Sequence, residues 1–518
     1  MNGAQSSPVV ACLMIALATA AWAACGQAPH NDEHHNDAPQ DTCTVHSELR
    51  PTDEADPAGY EGAPTDSVLS PDGFVRVWWA TDGPHSPPPA DSNDSGVPDY
   101  VELTAAIADE VGATIEAGGW RRPLTSLSDT AADPQPLDLF LVDFSAGDGQ
   151  YRAEECGLVD GTPVCAGHLR VENDFRFLAY PSHEYALRVV VAHEYFHAVQ
   201  NAYHAEFPPW WAEGGATWFQ EYFWDEQSDF ERLAGQLLDD PGRSLHDRQR
   251  GPFDGFAYGA SLFAYFLELQ MGAPGIREID ETIGSSAVDV DVIGAIDEVL
   301  QQQWVPLEDA FPLFAVYNLF TGSRAIDAAG YPEAQRFEEV DLLDLSADQS
   351  ANWEVAVDPL ATSYARIDGA RDLSLAVEGL DNFGPLTALA TSAADFEAHE
   401  SVVLLGEEPV NFDAQKFPLY LVVANPDSSE EGAIRVRLRG AVEPSEEEHE
   451  EDPSDLDPDE SEQDDQDITE DLDDDQESSG CATTGSGEKP PLVVFVIVGL
   501  GLLRLRRPSP KRISCDAL

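Results

Sequence analysis

Val189-Val-Val-Ala-His193-Glu194-Tyr-Phe-His197-Ala-Val-Gln200 is the stretch on which the reading of this sequence turns. The run from Ala186 to Tyr203 is mostly apolar and long enough for a buried helix. Two histidines four residues apart on such a helix project from one face, so both imidazoles can reach a single metal ion. Glu194 lies beside them, where it can take a proton from a water held at that ion. A buried helix whose histidines only satisfy hydrogen bonds would carry the same residues, so the rest of a site has to be sought elsewhere in the chain.

A catalytic zinc centre takes three protein ligands and keeps a fourth position open for water. One solution continues the same segment with Gly and then a third His, but those positions hold Gln200 and Tyr203, and His204 is one residue out of phase. Met271 offers no convincing methionine turn. The other solution takes a carboxylate from a second helix, and Trp210-Trp-Ala-Glu213-Gly-Gly-Ala-Thr217-Trp-Phe-Gln-Glu221-Tyr-Phe223 offers Glu213. Thr217 and Glu221 follow on the same face. Glu221 is either a hydrogen-bond partner for a ligating imidazole or a solvated helix carboxylate. His168, His183 and His204 are read as structural or surface residues.

The two segments together resemble the HExxH…EGxA signature of gluzincin peptidases. They are most similar to bacterial secreted metalloproteases whose motif reads approximately HEFFHAVQ…WxxEGTATW. The resemblance implies a zincin-like catalytic domain, Zn2+ held by His193, His197 and Glu213, and Glu194 as general base on a polypeptide substrate. Fifteen residues separate His197 from Glu213, somewhat fewer than in the aminopeptidase-N family. That family's Gly-x-Met-Glu-Asn motif has no counterpart, so an endopeptidase is expected. Tyr258-Gly-Ala-Ser-Leu-Phe-Ala-Tyr-Phe-Leu267 resembles the related proteins' YGASLFxYYL helix. By that analogy Tyr258 would donate its phenol to the developing oxyanion; a core tyrosine opening a packed helix suits the same sequence.

Asp91-Ser-Asn93-Asp-Ser95-Gly96-Val97-Pro98-Asp99-Tyr-Val-Glu102 places oxygen-bearing residues at positions 1, 3, 5, 9 and 12 of a loop, with Gly at 6. An EF-hand-type calcium loop has this spacing, with the Val97 carbonyl at position 7. Structural Ca2+ bound by Asp91, Asn93, Ser95, Asp99 and Glu102 is one reading; an Asx turn with Asp99 capping the next helix is the other.

The rest of the 518 residues is organised around this centre. Residues 1–25 read as an export signal, an apolar Val9–Ala24 run ending in small residues before Cys25. Simple cleavage is preferred to lipidation of Cys25. Residues 26–66 read as a flexible leader rich in His, Asp and Pro, and 67–345 as the catalytic domain. Strands are predicted at Gly73–Ala80, Leu137–Asp143 and His168–Glu172, and helices at Tyr100–Gly119, Ala186–Tyr203 and Trp210–Phe223. Cys156 and Cys165 suit a local disulfide in an oxidising compartment. Short alternating strands over 359–441 predict a small all-β sandwich, so the fold class is α+β.

Residues 442–480 form an acidic spacer: Glu443–Glu477 carries 21 acidic residues and no Lys or Arg. It is expected to stay extended and disordered. In residues 481–518, Gly480-Cys481 precedes a short apolar run, Leu492–Leu503, and an Arg cluster. Twelve residues are too few to cross a hydrocarbon core of about 30 Å comfortably. The tail resembles a myxobacterial-type sorting signal, which implies a processing protease as partner; a short membrane anchor is the alternative. A net charge of −70 repels phosphate backbones and anionic lipid, which excludes nucleic acid as a partner and limits membrane contact to the tail. The expected product is an exported peptidase, at the cell surface or attached to the outer membrane. A non-catalytic adhesin on the same scaffold, and a zinc hydrolase of a non-peptide bond, are the competing readings.

Overall fold

The computed structural model describes residues 58–440, apart from 128–134, 177, 249, 251–253, 286–289, 327–328, 348–349, 370–371, 380–385, 398–402 and 417. The export signal, most of the leader, the acidic spacer and the tail lie outside the described residues. Among the described residues no helix is long and apolar enough to cross a membrane.

The chain opens with β1 (Thr65–Leu69), β2 (Val75–Ala80), α1 (Asp99–Gly118), β3 (Leu137–Val142), β4 (Gly149–Val159) and β5 (Thr162–Glu172). These strands form one sheet in the order β1-β2-β3-β5-β4. The inner strands β2, β3 and β5 run parallel, while β1 and β4 pair antiparallel at the edges. LDLFLV is buried at every position, as a central strand covered on both faces must be. The helices α2 (His183–Tyr203), α3 (Pro209–Phe223), α4 (Asp229–Leu238), α5 (Phe256–Gly259), α6 (Ser261–Met271), α7 (Ala273–Ile283), α8 (Val292–Gln303) and α9 (Leu307–Leu319) follow. α1 and α2 lie against the sheet, and α3 packs on the far side of α2, joined by Phe196, Trp218 and Phe219, into one apolar core.

The remaining strands are β6 (Leu343–Ser346), β7 (Ala351–Val357), β8 (Ala361–Asp368), β9 (Leu373–Gly379), β10 (Thr387–Ser392), β11 (Val403–Leu404), β12 (Val410–Phe412), β13 (Leu419–Asn425) and β14 (Gly432–Gly440). They form two sheets, β11-β10-β13-β8-β6 and β12-β9-β14-β7. In β13, Leu419, Leu421 and Val423 face the partner sheet, while Tyr420, Val422 and Ala424 enter the main core beside α9. Both faces are covered, which is why LYLVVAN carries no charge and its one amide, Asn425 at the end, donates to the Val357 and Glu430 carbonyls. β14 alternates instead. Ile434, Val436 and Leu438 point inward, and Arg435 and Arg437 pair outward with Glu354 and Glu378.

The mixed α+β organisation matches the sequence reading, with two differences in its boundaries and two within the first sheet. Residues 58–66, assigned to the leader, belong to the fold: Ala58 and Tyr60 are buried, and the Tyr60 hydroxyl donates to the Leu141 carbonyl at 2.8 Å. The sandwich begins at β6 and β7, before residue 359, because β6 pairs with β8 and β7 with β14. β4 was not foreseen. Its sequence GQYRAEECGLV lacks clean alternation, as suits an edge strand with one side open. A disulfide joins Cys156 to Cys165 across the β4–β5 hairpin, so the two cysteines face each other in paired strands and not within a loop.

Candidate metal centre

α2 starts where the Ser182 hydroxyl accepts from the Tyr185 amide, and it runs almost entirely buried between sheet and helices. α3 starts after Pro208 with Pro209 in its first turn, where a missing amide hydrogen costs nothing. Two glycines interrupt the middle of α3 at a cost of about 1 kcal/mol each relative to alanine. Packing explains both. A methyl group at 215 would sit 2.9 Å from Gln200 Nε2 on α2, and one at 214 would press on the backbone entering α6 at 3.1 Å. The two glycines let α3 settle close enough for Glu213 to reach across to the histidines of α2.

The resulting geometry brings three possible ligand atoms within reach of one metal ion. His193 Nε2 lies 3.1 Å from Glu213 Oε2 and 3.1 Å from His197 Nε2, and the third edge, His197 Nε2 to Glu213 Oε2, is 3.4 Å. Bonds of about 2.0–2.1 Å in a tetrahedron give ligand–ligand edges of about 3.3 Å. The triangle therefore has the size of one face of a tetrahedral zinc shell, with the fourth corner left to water or substrate. Both imidazoles present Nε2, and two such nitrogens at 3.1 Å need a cation or a proton between them.

Electrostatics agree with the geometry. Burial works to raise Glu213, yet the charge of His197 and the hydrogen bonds to both histidines outweigh it and hold the carboxyl well below its usual range. Burial would pull His197 down, but Glu213, Glu194 and a hydrogen bond to Gln200 push it up to about 9. Burial raises Glu194, partly offset by the two histidines. Glu194 Oε2 accepts from the Tyr151 amide of β4 at 2.6 Å, and Oε1 faces Gly149, where any side chain would collide with it. Tyr258 stacks on His193 with ring centroids 5.8 Å apart and hydrogen-bonds to Glu213; burial and that carboxylate keep its phenol protonated.

The imidazole partners are glutamines. His197 Nδ1–H donates to Gln200 Oε1 at 2.9 Å, and Gln200 Nε2 donates to the Ala212 carbonyl at 3.0 Å, tying the two ligand helices together next to Glu213. On the other side Gln220 Nε2 stands 3.0 Å from His193 Nδ1 while Gln220 Oε1 is buried without a partner. Turning that amide by half a revolution sets its oxygen against the ring nitrogen. His193 Nδ1–H then donates to Oε1, which leaves Nε2 free for a cation. Gln220→Leu is expected to weaken zinc binding about tenfold to a hundredfold, measured by chelator competition, with Gln220→Asn intermediate. An unchanged affinity would leave the amide a packing residue.

All five expected centre residues, His193, Glu194, His197, Glu213 and Tyr258, are brought together. Glu221 is not: it accepts from Gln227 Nε2, and Gln220 meets the imidazole in its place. Gln220 lies seven residues after Glu213, two helical turns on, and Gln200 one turn after His197, so spacing could have found both. A search confined to carboxylates passes over them. His168 is buried at the sheet, where burial first and then Arg152 and Arg170 pull it down to about 3; His204 caps α2, and His183 packs on Tyr100. In the 91–102 loop, Asp91 accepts from the Ser95 and Gly96 amides, Asn93 from the Ser95 amide two residues on, as in an Asx turn, and Asp99 from the Ser92 amide, while Asn93 Nδ2 donates to Glu102; the cap position of α1 is Pro98 and not Asp99. Among the described residues the His, Cys, Asp and Glu side chains that converge on one point are His193, His197 and Glu213. No protein-family model matches the sequence, and no curated protein is recognisably similar to it.

Proposed function

We propose that this chain is a zinc-dependent peptidase of the gluzincin type, an endopeptidase exported to the cell surface or outer membrane. The observation that carries the reading is the triangle of His193 Nε2, His197 Nε2 and Glu213 Oε2, sized for one zinc ion, with Glu194 buried beside it. When bound, zinc supplies a Lewis acid for the carbonyl and for water. Glu194, held at Oε2 by the Tyr151 amide, keeps Oε1 to take a proton from the attacking water. Its raised affinity for that proton suits the second task, handing it to the leaving amine. Tyr258, kept protonated, donates to the oxygen on which negative charge develops. Gln200 and Gln220 hold the two rings in the tautomer that this arrangement needs.

The export signal, the Cys481 sorting tail with its processing protease, and structural Ca2+ in the 91–102 loop belong to the same proposal and rest on sequence pattern. The test is to purify the chain from residue 26 onward, count zinc per molecule, and assay casein cleavage. Close to one zinc per chain and cleavage that stops with a chelator and returns with zinc are expected. A zinc-loaded protein inert toward casein and mixed peptides would pass the chain to the adhesin reading or to hydrolysis of another bond.

A further inference from the structure

The turn leading into β4, beside the metal centre, carries a carboxylate that the mechanism above does not use. Asp148 immediately precedes Gly149, the residue whose missing side chain makes room for Glu194. Its charge acts on Glu194 and Tyr258, and His193 acts on it in turn, so it stands on the Glu194 side of the centre. Tyr180 donates to Asp148 Oδ2 at 2.5 Å, which fixes the carboxylate. Among the described residues no Lys or Arg pairs with it; the favourable charge acting on it is that of His193, and it is half-buried. Its neighbour Asp229 differs: Arg232 bonds it and neutralises it.

The wall on this side is aromatic. Tyr180 faces Tyr185 with centroids 6.0 Å apart, Tyr185 meets Trp224 at 5.2 Å, and the Tyr185 hydroxyl accepts from the Ser228 amide, holding the α3–α4 turn in place. A fixed carboxylate without a Lys or Arg partner beside aromatic rings is the chemistry that selects cations: the anion supplies charge, and ring faces offset part of the cost of desolvating an alkylammonium or guanidinium, as Trp224 already does for Arg188.

We propose that Asp148, held by Tyr180, is a specificity-determining residue that binds a positively charged group of the substrate, an ammonium or guanidinium, beside the metal centre. The inference rests on the peptidase reading for its choice of substrate. The group has two sources, a Lys or Arg side chain near the scissile bond or the free α-ammonium of a peptide.

The experiment measures binding, so that it does not depend on turnover. Zinc-loaded Glu194→Gln protein is titrated with dye-labelled alanine-based hexapeptides that carry one Lys, or norleucine in its place, at each position in turn. Each is made with a free or an acetylated N-terminus. At one position, or for the free terminus, the cationic peptide is expected to bind about tenfold to a hundredfold more tightly than its neutral partner. Adding Asp148→Asn brings that ratio close to one while the neutral peptide keeps its affinity within about threefold, and Asp148→Lys turns the preference toward a Glu-bearing peptide. Dependence on the free terminus identifies the α-ammonium; dependence on the Lys position identifies a side chain. Equal binding of cationic and neutral peptides, a preference that survives Asp148→Asn, or no binding of any peptide overturns the assignment. Binding selectivity in the variant alongside an inert wild type would count against the peptidase reading and not against this site.

Discussion

Glu194→Gln protein is expected to retain one zinc per chain and to lose about two to four orders of magnitude in kcat toward peptides, the usual contribution of a positioned general base. The two effects separate because Glu194 is not one of the three atoms that form the ligand triangle. Glutamine keeps the shape of the side chain, and its carbonyl oxygen can still accept the Tyr151 amide that holds Glu194 Oε2 at 2.6 Å. What disappears is the ability to take and release a proton. KM should change little, since the proton transfer to the base is made only in the transition state and does not bind the ground-state substrate. The measurement is zinc content by mass spectrometry alongside kcat and KM on one quenched peptide. Full zinc with unaltered cleavage would remove Glu194 from the chemistry.

How much of this was legible beforehand depended on whether the information sat within one element or between elements. α2 and α3 were readable because His193, Glu194, His197 and Glu213 declare themselves by type and spacing on single helices. β13 and β14 were readable for the complementary reasons seen above, a continuous apolar run in one and alternation with arginine in the other. β4 was hidden because an edge strand has only one face to bury, and its polar residues satisfy solvent and the hairpin together. β6 and β7 were hidden because their partners, β8 and β14, come later in the chain, so their strand character is set by pairing at a distance. Asp148 shows the limit most plainly. Nothing in Ala146-Gly-Asp-Gly149 distinguishes it from a turn, and only the contact of Gly149 with Glu194 brings it beside the metal centre. The glutamines stood between the two cases. Their spacing was visible, but an expectation of carboxylate partners pointed to Glu221.

Glu213→Gln is expected to cost more in zinc affinity than any change in the imidazole partners, on the order of a thousandfold, since losing an outer hydrogen bond alone costs about tenfold to a hundredfold. An amide oxygen is a weaker, uncharged ligand, while the helix packing set by Gly214 and Gly215 is untouched, so the protein should remain folded. The same substitution changes His197 in the metal-free protein. Glu213 is the largest influence raising that imidazole, against burial, which lowers it. Without the carboxylate its pKa should fall from about 9 toward or below the ordinary value near 6.5. The direction fixes the consequence for stability. A folded-state pKa above the unfolded one means that the His197–Glu213 pair stabilises the metal-free wild type fully below about pH 6.5, and that this contribution fades as pH rises through about 9. The variant should lack that alkaline loss. Chelator competition gives the affinity, an NMR titration of the His197 ring gives the pKa, and thermal melts of metal-free protein between pH 6 and 10 give the stability difference. A His197 that titrates unchanged in the variant would mean that Glu213 does not face the imidazoles, and the four-residue centre would have to be abandoned with it.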